Sequence, residues 1–371
     1  MVLGLVLRVP AGATVIQGGA SATDNARLEA EAHQAGARHT CVVGLMVQST
    51  GMGMPALGTG VYLGMSADGR RGLILTSAHL FADEGESPIR PRKSTVHFGP
   101  AMMVPGASRV AATKVHLHPE FAYFQDLTSR NQDGPLPLTN NRHDLAIVEF
   151  DAAAGKDQLM ASKVTPAALY DGTGYLKPLL KSGVAGFGVF GTSTSPTVRN
   201  LFKVHAGNTR VTYGTWRGRS AFIHLSPLSA QGRAALSSTA PDTNVWQFEP
   251  PRPGLKAFPP GLTTAMDVRA NANQTLVADG DSGGPLFFET KDGLKVAGIF
   301  SFYLCEALRV AGQEEPRTFA VELWEPVKEH LDWIRGVMGL APGAKEEEKK
   351  APAPPTKVPG APSVATTAEV A

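Results

Sequence analysis

The chain has few cysteines and few charged residues. Its 371 residues include only Cys41 and Cys305, so a small scaffold held by several disulfides is excluded and one bond at most could form. Charged residues make up 18% of the chain and leave a net charge of +2. Because no basic stripe stands out between residues 40 and 340, nucleic acid is not expected as a partner. No apolar run approaches the length of a membrane span, so no transmembrane segment is expected.

Glycine and proline, in contrast, are plentiful, with 40 and 28 residues. Short apolar runs separated by these turn residues recur through the middle of the chain, a pattern typical of an all-β protein. A first series of runs lies at about 40–165 and a second at about 180–323. The sequence therefore predicts two β-barrels or sandwiches.

The ends of the chain differ from this middle region. Residues 1–39 resemble a leader or propeptide segment, with an apolar opening followed by small residues. At 324–339 four apolar residues recur at helical spacing, which predicts one amphipathic helix closing the fold. They are Val327, Leu331, Ile334 and Met338. Residues 340–371 are rich in proline, alanine and charge without an apolar pattern, and are predicted to be a disordered tail.

A serine stands among three glycines in ADGDSGGPLF, residues 278–287. The glycine-x-serine-x-glycine spacing around Ser282 also occurs in α/β-hydrolases, where the acid and the histidine follow the serine. Here the only later histidine, His330, falls in the predicted closing helix, and repeated helices are missing ahead of the serine. The α/β-hydrolase interpretation is therefore rejected. The other order, histidine then aspartate then serine, requires both partners upstream.

Two earlier stretches supply these partners. LILTSAHLF at 73–81 places His79 just after a predicted buried strand, and NRHDLAIVEF at 141–150 places Asp144 at the start of another. Imidazole exchanges its proton near neutral pH, so His79 suits the base that activates serine, with Asp144 fixing its tautomer. His143 is nearer to Asp144 in the chain, but neighbouring strand residues point to opposite faces.

With these residues the chain resembles the trypsin-like, or chymotrypsin-family, serine peptidases. The resemblance rests on TSAH at 76–79, DLAIV at 144–148 and GDSGGP at 280–285, in the family's order within residues 40–339. It implies an all-β fold of two six-stranded antiparallel β-barrels packed together with a C-terminal helix. It also implies hydrolysis of polypeptides without metal or organic cofactor, and it favours a secreted or periplasmic location.

The glycines beside the serine have a physical purpose in this interpretation. An oxyanion hole needs two backbone N–H groups that converge on one point, and a turn without side chains permits that geometry. We expect the N–H groups of Gly280 and Ser282 to be the two donors. The triad would be His79, Asp144 and Ser282, joined at the cleft between the two barrels.

The cysteines depart from the family pattern. Leu80 stands where the family usually has a cysteine next to its histidine, and the position of the usual partner of Cys305 holds Ala278. Both cysteines are therefore expected to be free thiols, with the fold held by core burial.

A candidate activation site lies near the N-terminus. VIQGG at 15–19 resembles the family's activation site, where cleavage before Ile16 would free an ammonium group to pair with Asp281. The spacing from Ile16 to His79 is longer than usual in the family, and no typical activating residue precedes Ile16.

The resemblance also assigns a substrate pocket. Leu276 aligns with its floor, where trypsin has an acid, so a preference for Lys or Arg is not expected. Ser301, Phe302 and Tyr303 fall on its wall, and the bulk of Tyr303 favours small or medium apolar side chains. Arg317 could instead attract an acidic side chain.

Two other functions stay open at this point. A non-catalytic binding protein could be built on the peptidase fold, since a fold can be retained when its catalytic activity is lost. An esterase of the same fold would use the same triad.

His116 and His118 share one face of a predicted strand. Because no third ligand is obvious, we expect no metal there and a structural role for both. The sequence does not indicate an oligomeric state.

Overall fold

The computed structural model describes thirteen segments of the chain. They are residues 14–16, 39–48, 55–82, 93–102, 105–121, 143–172, 180–188, 190–192, 195–199, 205–216, 219–227, 280–308 and 317–340. The predicted tail lies outside the described residues beyond residue 340, and Leu276 lies outside them as well.

Six strands form a closed antiparallel barrel in the order β2-β3-β4-β7-β6-β5. Their bounds are Val42–Val47 for β2, Ala56–Met65 for β3, Arg71–Thr76 for β4, Ser94–Phe98 for β5, Ser108–Leu117 for β6 and Ala146–Asp151 for β7. The barrel uses the first predicted series of apolar runs.

Strand β4 is apolar on both faces, which explains its unbroken hydrophobic run. In β4, Ile74 packs in the barrel interior. Leu73 and Leu75 belong instead to a second cluster that also contains Phe187 and Ile334 from later in the chain. Because side chains alternate along a strand, a run without polar residues indicates burial on both sides.

The second half of the chain forms a larger sheet of seven strands in the order β14-β9-β12-β13-β16-β15-β8, with an additional pairing of β14 to β15. The bounds are Ala168–Leu169 for β8, Leu180–Gly186 for β9, His205–Trp216 for β12, Arg219–Pro227 for β13, Pro285–Thr290 for β14, Gly293–Leu308 for β15 and Arg317–Pro326 for β16. Aromatic residues fill its core, among them Phe222, Phe288, Phe300 and Trp324. The protein is therefore mostly β, with one closed barrel and a second sheet.

A small third sheet uses the N-terminal region. Strand β1, Thr14–Ile16, pairs in parallel with β10, Phe190–Thr192, and β10 pairs with β11, Ser195–Arg199. Part of the predicted leader segment is thus joined to the second half of the chain.

The closing helix is shorter than the sequence predicts. It occupies Leu331–Met338, here called α2, and not 324–339, because β16 continues to Pro326 and a 3-10 turn follows at Val327–Glu329. Trp324 stays in the strand because it pairs with Phe300 of β15. The helix ends at Gly339, whose left-handed φ of 76° suits a residue without a side chain.

A further helix, α1 at Ala152–Ala161, has no counterpart among the sequence-based expectations. The side chain of Asp151 caps its first turn by accepting hydrogen bonds from the N–H groups of Ala153 and Ala154 at 2.8 and 3.0 Å.

Among the described residues, no helix is long and apolar enough to cross a membrane.

Cys41 is a buried free thiol, as the sequence predicts. Burial raises its pKa to about 12, because the thiolate would have to leave water. The side chain of Cys305 lies outside the described part of the structure.

His97 in β5 is a buried histidine, and we expect its protonation to destabilise the barrel. Burial, assisted by the charge of Arg109, lowers its pKa, and neither ring nitrogen has a hydrogen-bond partner within the described residues. The unfolded chain takes up this proton at a higher pH than the folded one. The free energy of unfolding should therefore fall as the pH drops below the unfolded value of about 6.5.

Substituting His97→Leu should remove this part of the acid sensitivity. Urea unfolding near neutral pH and at about pH 5 should show a smaller loss of stability in the variant than in the wild type. An equal loss in both proteins would contradict the assignment.

Candidate active site

His79 and Asp144 are brought together by the pairing of two barrel strands. His79 lies in a 3-10 turn, Ala78–Phe81, just after β4, and Asp144 lies just before β7. Because β4 and β7 are antiparallel and Thr76 pairs with Ala146, the end of one strand lies beside the start of the other. The two residues are in contact although they are 65 positions apart in the chain.

Asp144 holds His79 through two contacts. His79 Nδ1 lies 2.7 Å from Asp144 Oδ2, and the backbone N–H of His79 donates to Oδ1 at 2.8 Å. Since an ionised carboxylate can only accept hydrogen bonds, the proton of the imidazole resides on Nδ1. This leaves Nε2 with its lone pair available as a base.

The Asp144 carboxylate is ionised although it is completely buried. Burial alone would raise its pKa, but the interaction with the His79 imidazole and the hydrogen bonds from His79 and Ser301 outweigh burial, so the pKa is lowered. A buried charge is tolerated when it is paired and hydrogen-bonded in this way.

Ser301 makes a contact that the sequence did not predict. Its hydroxyl donates to Asp144 Oδ2 at 2.5 Å and is buried with it. The pairing of β15 with β16 is irregular between Phe300 and Phe302, so Ser301 lies at a bulge. Bulges redirect side chains, and here the redirected hydroxyl meets the carboxylate. The sequence predicted a place on the pocket wall and carried no signal for this contact.

The turn that carries Ser282 is attached to β3. The N–H of Thr59 donates to the Ser282 carbonyl at 2.8 Å, and the Thr59 hydroxyl donates to the Gly280 carbonyl at 2.9 Å. Gly280 has a φ of 91°, a left-handed conformation that favours glycine. The barrel thus fixes the backbone on both sides of Asp281.

Gly283 lies against the end of β4, where a side chain has no room. A Cβ atom there would be 2.0 Å from Thr76 Oγ1 and 2.3 Å from the Thr59 carbonyl oxygen. The Ser282 turn therefore lies against Thr76 and Ser77, and Ser77 is two residues before His79. The N–H of Gly283 donates to the Phe300 carbonyl at 2.9 Å, which ties the turn to β15 as well.

Asp281 is buried and held by a second glycine-rich turn. Its Oδ1 accepts the N–H of Gly188 at 2.8 Å, and a Cβ at Gly186 would lie 2.0 Å from the same oxygen. Ile16, its predicted activation partner, is the last residue of β1 and pairs with Thr192 of β10. Pairing of the Ile16 amine with Asp281 stays a prediction.

The predicted pocket residues are described only in part. Phe302 is partly buried on β15. Tyr303 and Arg317 lie on β15 and β16, where their backbones pair with Glu322 and Leu308, and their side chains are outside the described part of the structure. The pocket assignment stays a prediction.

Within the described segments, one group of histidines could hold a metal ion, although the sequence predicted none. His116 is not part of it, because its Nε2 lies 2.7 Å from Glu149 Oε1. His118 instead meets His143 and His330, two residues that the sequence had not connected with it. Burial, and then the two neighbouring imidazoles, lower the pKa of His118 to about 4.

No protein-family model matches the chain, and no curated protein matches it in sequence.

Proposed function

We propose that the protein is a serine endopeptidase that hydrolyses polypeptides through an acyl-enzyme on Ser282. The observation that carries this proposal is the buried Asp144 carboxylate, which holds His79 by both its backbone and its Nδ1. A carboxylate that fixes the tautomer of an imidazole beside a serine turn is the arrangement of nucleophilic serine catalysis.

The steps follow from the proton positions. His79 Nε2 takes the proton of the Ser282 hydroxyl as Oγ attacks the substrate carbonyl carbon. Asp144 stays ionised and stabilises the imidazolium. The tetrahedral intermediate then collapses, His79 passes its proton to the leaving amine, and the acyl group stays on Ser282. A water molecule, activated by the same imidazole, releases the acyl group as a carboxylic acid.

The N–H groups of Gly280 and Ser282 are the proposed donors to the oxyanion. The neighbouring N–H groups are already used: that of Gly283 donates to the Phe300 carbonyl on β15, and that of Gly284 donates to the Asp281 carbonyl within the turn at 2.7 Å. These bonds hold the turn in place before substrate binds. A donor set that needs no rearrangement stabilises the transition state most effectively.

The strand pairings support a trypsin-like arrangement of two barrels. In the second sheet β14, β9, β12, β13, β16 and β15 are paired in succession, and β14 also pairs with β15. This succession is the one expected for a second six-stranded barrel. The helix α2 packs with residues of both halves, since Ile334 shares a cluster with Leu75 and Phe287.

We further propose that the enzyme prefers small or medium apolar side chains, as Leu276 and Tyr303 suggest, and does not require Lys or Arg.

The buried Asp281 is compatible with an activation step in which a new amino group at Ile16 forms an ion pair with the Asp281 carboxylate. N-terminal sequencing of the active form tests that step, and full activity with Met1 attached would rule it out.

Fluorophosphonate labelling tests the proposed nucleophile. The wild type should be labelled on Ser282 and should cleave a mixed peptide library, whereas Ser282→Ala should do neither. Ser162→Ala, at the C-terminal end of α1, is the matched control and should behave as the wild type.

Each alternative function gives a different result in this experiment. A folded wild-type protein that resists the label would indicate a binding protein. Ester hydrolysis without any peptide cleavage would indicate an esterase.

Ser301→Ala should reduce kcat/KM about tenfold. The variant loses a hydrogen bond to a buried charge, a contact that contributes about 1.5–3 kcal/mol, and the orientation of Asp144 depends on it. Ser301→Thr retains a hydroxyl and should recover part of the activity. Steady-state kinetics across the pH range checks this, and unchanged kinetics in the alanine variant would refute the role.

A further inference from the structure

Three histidines from distant parts of the chain converge where β6 ends and α2 begins. One ring nitrogen from each of His118, His143 and His330 lies within 4.8 Å of the others. His118 follows β6, His143 immediately precedes Asp144, and His330 immediately precedes α2. The cluster is next to the candidate active site but shares no residue with it.

One pair already has the spacing of two ligands on one ion. His118 Nε2 and His330 Nδ1 are 3.2 Å apart. Two nitrogens bound tetrahedrally to Zn²⁺ at about 2.0–2.1 Å are separated by about 3.3–3.4 Å. The ring of His143 stacks on His118 with centroids 4.9 Å apart. To complete the set, the half-buried His143 side chain has to turn out of this stack, so that its nitrogen points at the same ion.

Carboxylates lie at the outer nitrogens of two of the rings. His330 Nε2 is 3.0 Å from Glu325 Oε1, and His143 Nε2 is 3.4 Å from Glu120 Oε2. A carboxylate at the outer nitrogen keeps the proton there and directs the lone pair of the other nitrogen to a metal. The Nδ1 atom of His143 is buried and has no hydrogen-bond partner among the residues that the structure describes.

His118 requires one local change to act as a ligand. The N–H of Glu120 donates to His118 Nδ1 at 3.2 Å, so the ring carries its proton on Nε2, which faces His330. To bind a metal through Nε2, the ring transfers this proton to Nδ1 and gives up the contact with Glu120. Because Glu120 is exposed, water can accept its N–H.

The backbone at His143 also indicates a constrained position. Its φ is 51°, in the left-handed region that few residues other than glycine adopt. Such conformations persist where the surrounding structure imposes them, and they cluster at functional sites. At this position the conformation presents the imidazole to His118 while the next residue, Asp144, faces His79.

We propose that His118, His143 and His330 bind one Zn²⁺ ion, or a similar first-row divalent metal ion, with water in the fourth position. Imidazole nitrogens are preferred ligands of these ions, and three of them leave one tetrahedral position open. The ion links the end of β6, the residue before Asp144 and the start of α2. The proposal does not depend on Ser282 being a nucleophile.

Metal binding to the full-length protein, freed of metal by chelation, tests the proposal. Titration calorimetry with Zn²⁺ should show one ion per chain, and Co²⁺ should give the visible absorption of a tetrahedral site. His143→Ala and Glu325→Gln should each weaken Zn²⁺ binding by about tenfold or more. His116→Ala removes a histidine outside the cluster and should bind as the wild type does.

His143 is only half-buried, so its alanine variant is expected to fold, and near-UV circular dichroism verifies this. Loss of binding confined to the cluster variants supports the site. A wild-type protein that does not bind Zn²⁺ or Co²⁺, or equal weakening in His116→Ala, overturns it.

Discussion

Replacing Asp144 by asparagine should lower kcat about 10⁴-fold while leaving the fold intact. The backbone N–H of His79 donates to Asp144 Oδ1 at 2.8 Å, so the amide oxygen of asparagine will occupy that place. Its NH₂ group then faces His79 Nδ1 and turns this nitrogen into an acceptor. The imidazole proton moves to Nε2, which can no longer accept the proton of Ser282.

Asp151→Asn is the matched control for this substitution. Asp151 caps α1, and asparagine caps helices about as well as aspartate, so activity and stability should both remain close to wild type. Stopped-time assays on a peptide substrate measure kcat for both variants. An Asp144→Asn enzyme within tenfold of wild type would show that Asp144 does not set the tautomer of His79.

The second large effect is expected for Gly283→Ala. The new Cβ would be 2.0 Å from Thr76 Oγ1 and 2.3 Å from the Thr59 carbonyl oxygen, and the φ of 82° already disfavours any side chain. Overpacking costs about 1–3 kcal/mol and the left-handed conformation about 1–2 kcal/mol. We expect the free energy of unfolding to fall by roughly 3 kcal/mol.

Displacement of the turn should also reduce activity about 100-fold, since a shift of about 1 Å in a reacting group has that effect.

The control variant Gly69→Ala separates the two causes of the lost stability, which are the clash of the new Cβ and the left-handed backbone conformation. Gly69 has a φ of 70°, and a Cβ at this position would meet no atom of the described residues within 4 Å, so only the backbone penalty applies. Urea denaturation of both variants measures the difference, and equal losses of stability would show that the clash at Gly283 is relieved.

The sequence predicted the main features of the fold from local patterns. Short apolar runs between turn residues predicted a mostly β chain, and six of these runs form the closed barrel. The pairing of His79 with Asp144 was also predicted, and the two side chains are in contact. Such predictions are possible when the signal lies within a few residues, as it does for strand periodicity and for short motifs.

Secondary-structure boundaries were less predictable where two patterns compete. The apolar spacing from Val327 to Met338 predicted a helix beginning at residue 324, but Trp324 pairs with Phe300 in the sheet. Pairing with a neighbouring strand overrides the local helical pattern. The helix α1 was missed because its Ala-rich sequence has no apolar periodicity, and its clearest local signal is the cap at Asp151.

By itself, the sequence determined the strand-rich architecture, the glycine-rich segment around Ser282 and the types of residue at the candidate site. Only the tertiary structure decided that Ser301 reaches Asp144 from a bulge 157 residues away. It also decided that His118 meets His330 across 212 residues. These contacts depend on strand register and on how the closing helix packs, and both are set by the burial of the whole core, which no local pattern encodes.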